Sequence, residues 1–321
     1  MKAKFFKALK IIIPIGIGVY LSWYFLSGLS EEEIQQTKDA FFEANYFWVV
    51  MSLLIALLSH FSRAYRWRFL LDALGYKTKL SHSFNAVMSG YVINFTVPRS
   101  GEFARAGLMS SAEDIPFEKS FGTIVAERVV DVLMLGIIVL ISGYLQTNTE
   151  EFKAITASEE KEGGSILIYA LTVAVVIGIV MLIAFFKIPK FKKFVIEKLL
   201  GFWEGLKSIW KMKKKWWFVF HTFVIWICYV GMFWVSGQIF EETSHMPIGC
   251  MFGAFVVGAA AIALLPGGMG AYPAWVTAVL ALYGINFAAF GIFVWVAQTA
   301  LLVVFGLISL FLIQRSIKTP K

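Results

Sequence analysis

The chain has 321 residues, of which 59% are hydrophobic and only 16% charged, with a formal net charge of +8 and a mean hydropathy of +0.73. A soluble domain carries about 45–50% apolar and about 25% charged residues, so a water-soluble fold would leave too much apolar surface in water. The composition describes a polytopic membrane protein, whose unit is the span of about 20 apolar residues.

The N-terminal segment Met1 to Lys10 is basic and leads into an apolar run over 11–29. That run contains Trp23 and Tyr24 and no A-x-A site, so a retained first span is expected, not a cleaved signal peptide. Apolar segments long enough to cross follow at 46–62, 121–145, 164–186, 216–239, 247–265 and 290–313. Two more are interrupted: 84–97 runs into Pro98, and 271–287 follows Pro266-Gly267-Gly268-Met269-Gly270. Backbone in lipid must satisfy its own hydrogen bonds, so each crossing is read as a helix. A barrel would show alternating segments of about 10 residues, which these continuous runs are not. The fold class is an all-α polytopic membrane protein, a single integral domain over 1–321.

The basic residues orient it. The N-terminal tail, 63–79, 187–215 and the C-terminus hold 22 of the 29 Lys and Arg. The loops at 30–45, 146–163 and 240–246 hold only Lys38, Lys153 and Lys161, with twelve acids. Cytoplasmic loops carry the excess of Lys and Arg, so both termini are expected inside, in a bacterial-type cell (inner) membrane. An even number of crossings is then required. The expectation is about eight transmembrane helices, with 271–287 crossing and 84–109 entering and leaving on one side as a re-entrant broken helix. Within 187–215, Phe191, Phe194, Val195, Leu199, Phe202, Leu206 and Trp210 fall on one helical face among lysines. That pattern suits an interfacial amphipathic helix on an anionic leaflet, and equally an ordinary basic loop. It does not build a nucleic-acid-binding domain. Arg63, Arg66 and Arg68, with Trp67, end the second span and read as interface anchors first and lipid headgroup contacts second.

Four basic residues remain outside the loops: Arg99, Arg105, Lys119 and Arg128. They lie close in sequence to Glu102, Glu127 and Asp131. Ionisable groups at membrane depth cost about 2.5–3.5 kcal/mol each on insertion scales and usually face a cavity or a partner. Pro98 removes a backbone donor and Gly101 permits unusual dihedrals, so a helix breaks here. A new helix is expected to start with Ser100 as its cap. A helix N-terminus beside Arg99 and Arg105 suits an anion such as a phosphate. Glu127 and Asp131, four apart, share a helix face with Arg128. They either orient the arginines, carry a proton, or pin the hairpin to its neighbour. The glycines of the second break allow close approach to a ligand or a helix, or form a tight turn. One Pro/Gly break in each half is the pattern of internally repeated transporters.

The ordered motifs Pro98-Arg99-Ser100-Gly101-Glu102-x-x-Arg105, Glu127-Arg128-x-x-Asp131 and Pro266-Gly267-Gly268-Met269-Gly270 resemble those of the flippase-like family. That family includes the transmembrane flippase domain of bacterial lysylphosphatidylglycerol synthases. The resemblance implies a lipid-handling membrane protein, a stand-alone member without an appended aminoacyl-transferase domain. The chain departs from the pattern at Tyr272 and Pro273, where many members continue with a basic residue and a glutamate.

The function expected is transport of a phospholipid or other anionic lipid between leaflets. Arg99, Ser100, Gly101, Glu102, Arg105, Glu127, Arg128, Asp131, Pro266, Gly267, Gly268 and Gly270 are its candidate substrate-binding residues. Protonation of Glu102, Glu127 or Asp131 is a candidate coupling step. No Walker motif, HExxH pair or CxxC site occurs in the sequence, so no ATP drive, metal or cofactor is expected. The partners expected are membrane lipids, an anionic phospholipid or a polyprenyl phosphate, with no nucleic acid and a homo-oligomer left open. The alternative is a membrane-embedded lipid-modifying transferase or its subunit, using the same acids as base. Against it stand the missing nucleophile and donor-binding domain.

Overall fold

The structure is a computed structural model that describes residues 2–96, 100–147 and 209–317, with isolated positions between 187 and 203. The predicted span over 164–186, six of the seven apolar-face residues of the amphipathic segment over 187–215 (all but Trp210), and both Pro98 and Arg99 lie outside the described residues. Everything described is helix, turn or loop. In chain order the helices are α1 (Lys2–Ser27), α2 (Glu31–Glu43), α3 (Tyr46–Ala73), α4 (Leu80–Thr96), α5 (Gly101–Glu113) and α6 (Phe117–Thr147). After the undescribed stretch come α7 (Lys215–Gly237), α8 (Glu241–Ser244) and α9 (Ile248–Leu264). A 3-10 turn at Pro266–Gly268, α10 (Ala271–Leu282) and α11 (Ala288–Ser316) complete the order.

Local chemistry sets several of the boundaries. Ser30 and Glu33 form a reciprocal capping box that starts α2, an element that sequence reading left as an outer loop. It turns by 108° from α1. Gly75, at φ +90°, ends α3: its own N–H bonds Asp72 O, while the Tyr76 N–H reaches back to Leu71 O. This is the two-bond pattern of a left-handed helix terminus. Gly284 and Ile285 repeat it after α10, on Ala281 O and Leu280 O.

By length and composition α3, α7 and α11 are each apolar enough to cross a bilayer, and the bent pair α1–α2 passes together. α6 is 31 residues long; from Val129 onward its one formal charge is Asp131, and Val132, Ile137 and Leu140 are exposed.

The two interrupted segments are built alike. α4 and α5 are antiparallel: His82 Nδ1 meets Glu113 Oε1 at 2.8 Å at the open end, and the Gly101 N–H donates to Asn94 Oδ1 at 2.7 Å near the break. α9 and α10 are antiparallel too: Gly258 leaves room for the Tyr272 ring near the break, and Gly253 abuts Val279 further out. α9 has 17 residues and α10 has 12, which at about 1.5 Å per residue give roughly 25 and 18 Å, short of the roughly 30 Å hydrocarbon core. Segment 271–287 was expected to cross alone. It instead forms a half-length helix folded back on α9, because the Pro-Gly-Gly turn reverses the chain.

The hairpins enter from opposite ends of the bundle. The open end of α4–α5 lies with the C-terminal end of α3 and the start of α7, where Lys214 Nζ meets Asp72 Oδ2 at 2.8 Å. The open end of α9–α10 lies with α2 and the end of α7. There the Asn45 N–H bonds Ile239 O, and the Phe240 and Phe287 rings are 5.1 Å apart. The tips meet between them: the Phe95 ring occupies the space that a side chain on Gly267 would fill, and Trp295 Nε1–H donates to Gly267 O at 2.8 Å. α11 runs past both hairpins, with Gly291 against Pro273 of α10 and Gly306 against Met88 and Val92 of α4. A long–short–short–long order of helices therefore occurs twice, as α3–α4–α5–α6 and α7–α9–α10–α11.

Candidate functional site

Seven charged side chains converge where α3, α5 and α6 meet. Asp131 and Glu127, one turn apart on α6, face inward. Arg66 of α3 lies between them, with Nη2 2.9 Å from Asp131 Oδ1 and Nε 3.4 Å from Glu127 Oε1. Its Nη1 donates to Thr222 Oγ1 of α7 at 3.1 Å. Arg63, one turn earlier, holds Asp131 Oδ2 at 2.9 Å. From α5, Arg105 Nη1 approaches Glu127 Oε2 at 2.8 Å, an ion pair without hydrogen-bond alignment. All five of these side chains are buried.

At the rim Arg128 reaches Glu102 Oε1 at 2.9 Å with Nη2 and Asp131 Oδ2 at 3.5 Å with Nη1. The buried five carry three positive and two negative charges. The Arg128–Glu102 pair adds none, so among the described residues the cluster keeps one excess positive charge.

That excess resides on Arg105. The residue is 4% exposed, and its Nε and Nη2 have no hydrogen-bond partner among the described residues. Its guanidinium lies 3.8 Å from the centre of the Trp67 ring, a placement worth up to about 2 kcal/mol when desolvated. Trp67 is itself fixed by Nε1–H donation to Thr123 Oγ1 at 2.8 Å. Arg105 lines a small cleft with Arg128, Glu102, Tyr91, Asn94 and Gly101, at the N-terminal end of α5. The first N–H groups of a helix are orphans that favour an anion.

The break is built differently from the sequence expectation in one respect. Ser100 precedes α5 but makes no capping hydrogen bond. Asn94 of α4 takes that role through the Gly101 N–H, because Gly101 lets the two helices close until Gly90 O and the Asn94 side chain fill the space of a Cβ.

The structure brings Gly101, Glu102, Arg105, Glu127, Arg128 and Asp131 together, and Arg99 lies outside the described residues. Pro266, Gly267, Gly268 and Gly270 stand at the other tip. Gly267 faces Phe95, Gly268 faces Ile262 and Tyr272, and Gly270 lies against the backbone of α1 at Gly18 and Ser22. Their openness is taken up by protein. Among the described residues, no three His, Cys, Asp or Glu side chains are placed to share a metal ion.

Sequence reading missed Arg63 and Arg66, which are not interface anchors but the buried centre of the cluster. α3 continues as helix to Ala73, so these arginines lie within the bundle and not at its edge. The available signal was the polar stripe Ser52, Ser59, Ser62, Arg63 and Arg66 at helical spacing. Ser62 Oγ, on the same stripe, pairs with His221 Nδ1 of α7 at 2.8 Å.

No solved structure matches this chain. Over 87 residues it is 33% identical to a UPF0104 membrane protein of Methanocaldococcus jannaschii, a stretch that spans 26% of either chain. The chain thus matches about a quarter of that relative's length. The lysylphosphatidylglycerol synthase TM region family matches from residue 11 to residue 313. With nearly the whole chain covered, the protein belongs to that family of membrane regions.

Proposed function

We propose that the protein moves an anionic lipid between leaflets, with the headgroup phosphate held at the α5 N-terminus by Arg105 and Arg128. The carrying observation is the buried, half-unpartnered Arg105 guanidinium at a cleft. A buried cation in excess over its carboxylates is costly, and an oxyanion with charge-assisted hydrogen bonds offsets that cost. Arg99, two residues before α5 begins, belongs to the same headgroup site in this reading. The meeting of two half-length hairpins from opposite ends supports transport, since broken helices at mid-depth are how transporters expose one site alternately to two sides. The basic loops face the cytoplasm in this reading, and the protein acts in the cell membrane as a transporter and not as an enzyme.

The test is reconstitution in phosphatidylcholine vesicles with fluorescent phosphatidylglycerol and a membrane-impermeant quencher. Wild type is expected to move the probe, and Arg105→Ala to lose at least about ten-fold in rate, the equivalent of about 1.4 kcal/mol. A parallel arm with a polyprenyl phosphate probe separates the two lipid sources. Transport by Arg105→Ala at the wild-type rate overturns the site.

A further inference from the structure

The cleft beside Arg105 is narrow and partly open to the surface. Its volume is about 10 Å³, room for roughly one water molecule and too little for a phosphate. What spans it is the Glu102–Arg128 pair, at 2.9 Å between α5 and α6. Of the pairs that the described residues form in this cluster, it alone has both side chains substantially in contact with solvent, 28% for Glu102 and 42% for Arg128. The other carboxylates, Glu127 and Asp131, are enclosed by Arg63, Arg66 and Arg105. Exposed ion pairs are weak and break readily, whereas buried ones resist separation.

Position adds to this. Glu102 lies in the first turn of α5, where an anion is favoured by the helix dipole. Its carboxylate therefore sits on the same guanidinium that a ligand phosphate would use. Arg128 is also tethered from its other nitrogen to Asp131 at 3.5 Å, so losing Glu102 would leave its fork over the cleft and not free in solvent.

We infer that Glu102 is an exchangeable counterion: it holds Arg128 across the cleft mouth while the site is empty, and an incoming lipid phosphate replaces it there. The exchange swaps one anion for another on Arg128, so it needs no proton and no covalent step. Glu102 is then a positioning residue that sets the threshold for entry, and lipids lacking a phosphate cannot displace it. This rests on the headgroup site proposed above.

The experiment measures the initial transport rate of fluorescent phosphatidylglycerol against its mole fraction in phosphatidylcholine vesicles. Glu102→Gln should lower the half-saturating fraction several-fold. Arg128→Gln should raise it several-fold. The double variant should match Arg128→Gln, because the competitor then has nothing to occupy. Glu102→Asp, which keeps the charge but shortens its reach, should shift half-saturation in the same direction as Glu102→Gln and serves if that variant folds poorly. A half-saturating fraction unchanged or raised in both Glu102 variants overturns the exchange. If Arg105→Ala is inactive while the Glu102 variants behave so, the exchange alone fails; if Arg105→Ala is fully active, the site itself fails.

Discussion

The α4–α5 hairpin carries His82, Arg99, Glu102, Arg105 and Glu113, whereas α9–α10, from Ile248 to Leu282, contains no Asp, Glu, Lys, Arg or His at all. Yet the two share a build, 17 and 13 residues against 17 and 12, each reversed at a Gly/Pro break. Shape and chemistry are separate layers here. The shape comes from small residues that let backbones close, Gly90 and Gly101 in one hairpin and Gly253 and Gly258 in the other. The chemistry enters only where α5 faces α3 and α6. The α9–α10 tip, with Phe95 seated on Gly267, then serves as the wall against which the charged hairpin is set.

If the two layers are separate, disturbing the charge should hurt most. Arg66→Met keeps much of the volume but removes the guanidinium that joins Asp131 to Glu127 and to Thr222, leaving each acid one buried arginine, Arg63 or Arg105. Removing one partner of a buried pair costs about 3–5 kcal/mol, and this should appear as a large drop in unfolding midpoint in detergent. A loss no greater than that of Val276→Ala, a fully buried site in the uncharged hairpin, would break the contrast. Next in size is Gly267→Ala. An added Cβ meets the Phe95 ring, and the residue sits at φ +58°, so overpacking of about 1–3 kcal/mol is expected. Phe95→Leu in the same chain should recover part of it, and additive losses would show that the tips do not touch.

Much of this was legible in the sequence, and the failures share a cause. Glu127 and Asp131 were placed on one helix face by their spacing, and Arg105 and Glu102 were found as charges with no loop to belong to. Arg63 and Arg66 were lost because a basic residue near the end of an apolar run satisfies the orientation rule, which says nothing of whether the helix continues past it. In α3 it continues to Ala73. α10 was read as a crossing because 247–265 was taken to cross, which left 271–287 to restore the parity. A hairpin that returns to its own side leaves parity untouched, and only the lengths of α9 and α10 distinguish it. The joining of Phe95 to Gly267 depends on two residues far apart in the chain, with no pattern in either segment to announce it.

A finer probe of the wall is Trp295→Phe, which keeps the ring packing but removes the donor to Gly267 O. A single hydrogen bond of this kind contributes about 0.5–1.5 kcal/mol. The loss should be absent when the turn is already displaced by Gly267→Ala. Equal losses in both backgrounds would place Trp295 outside the junction.

The smallest effect belongs to the charges outside the cluster. Lys214 and Asp72 approach to 2.8 Å, as close as any pair in the site, but their side chains are 55% and 35% exposed. Distance alone would rank this bond with Arg63–Asp131. Solvent screens it, so Asp72→Asn should cost about 0–1 kcal/mol, and less still as salt shortens the Debye length to about 3 Å at 1 M. The loss from Arg66→Met should hold across the same salt series, because its partners are closed off from ions. If the two losses fell together with salt, the cluster would be open to water, and the excess charge on Arg105 would lose its claim on a ligand.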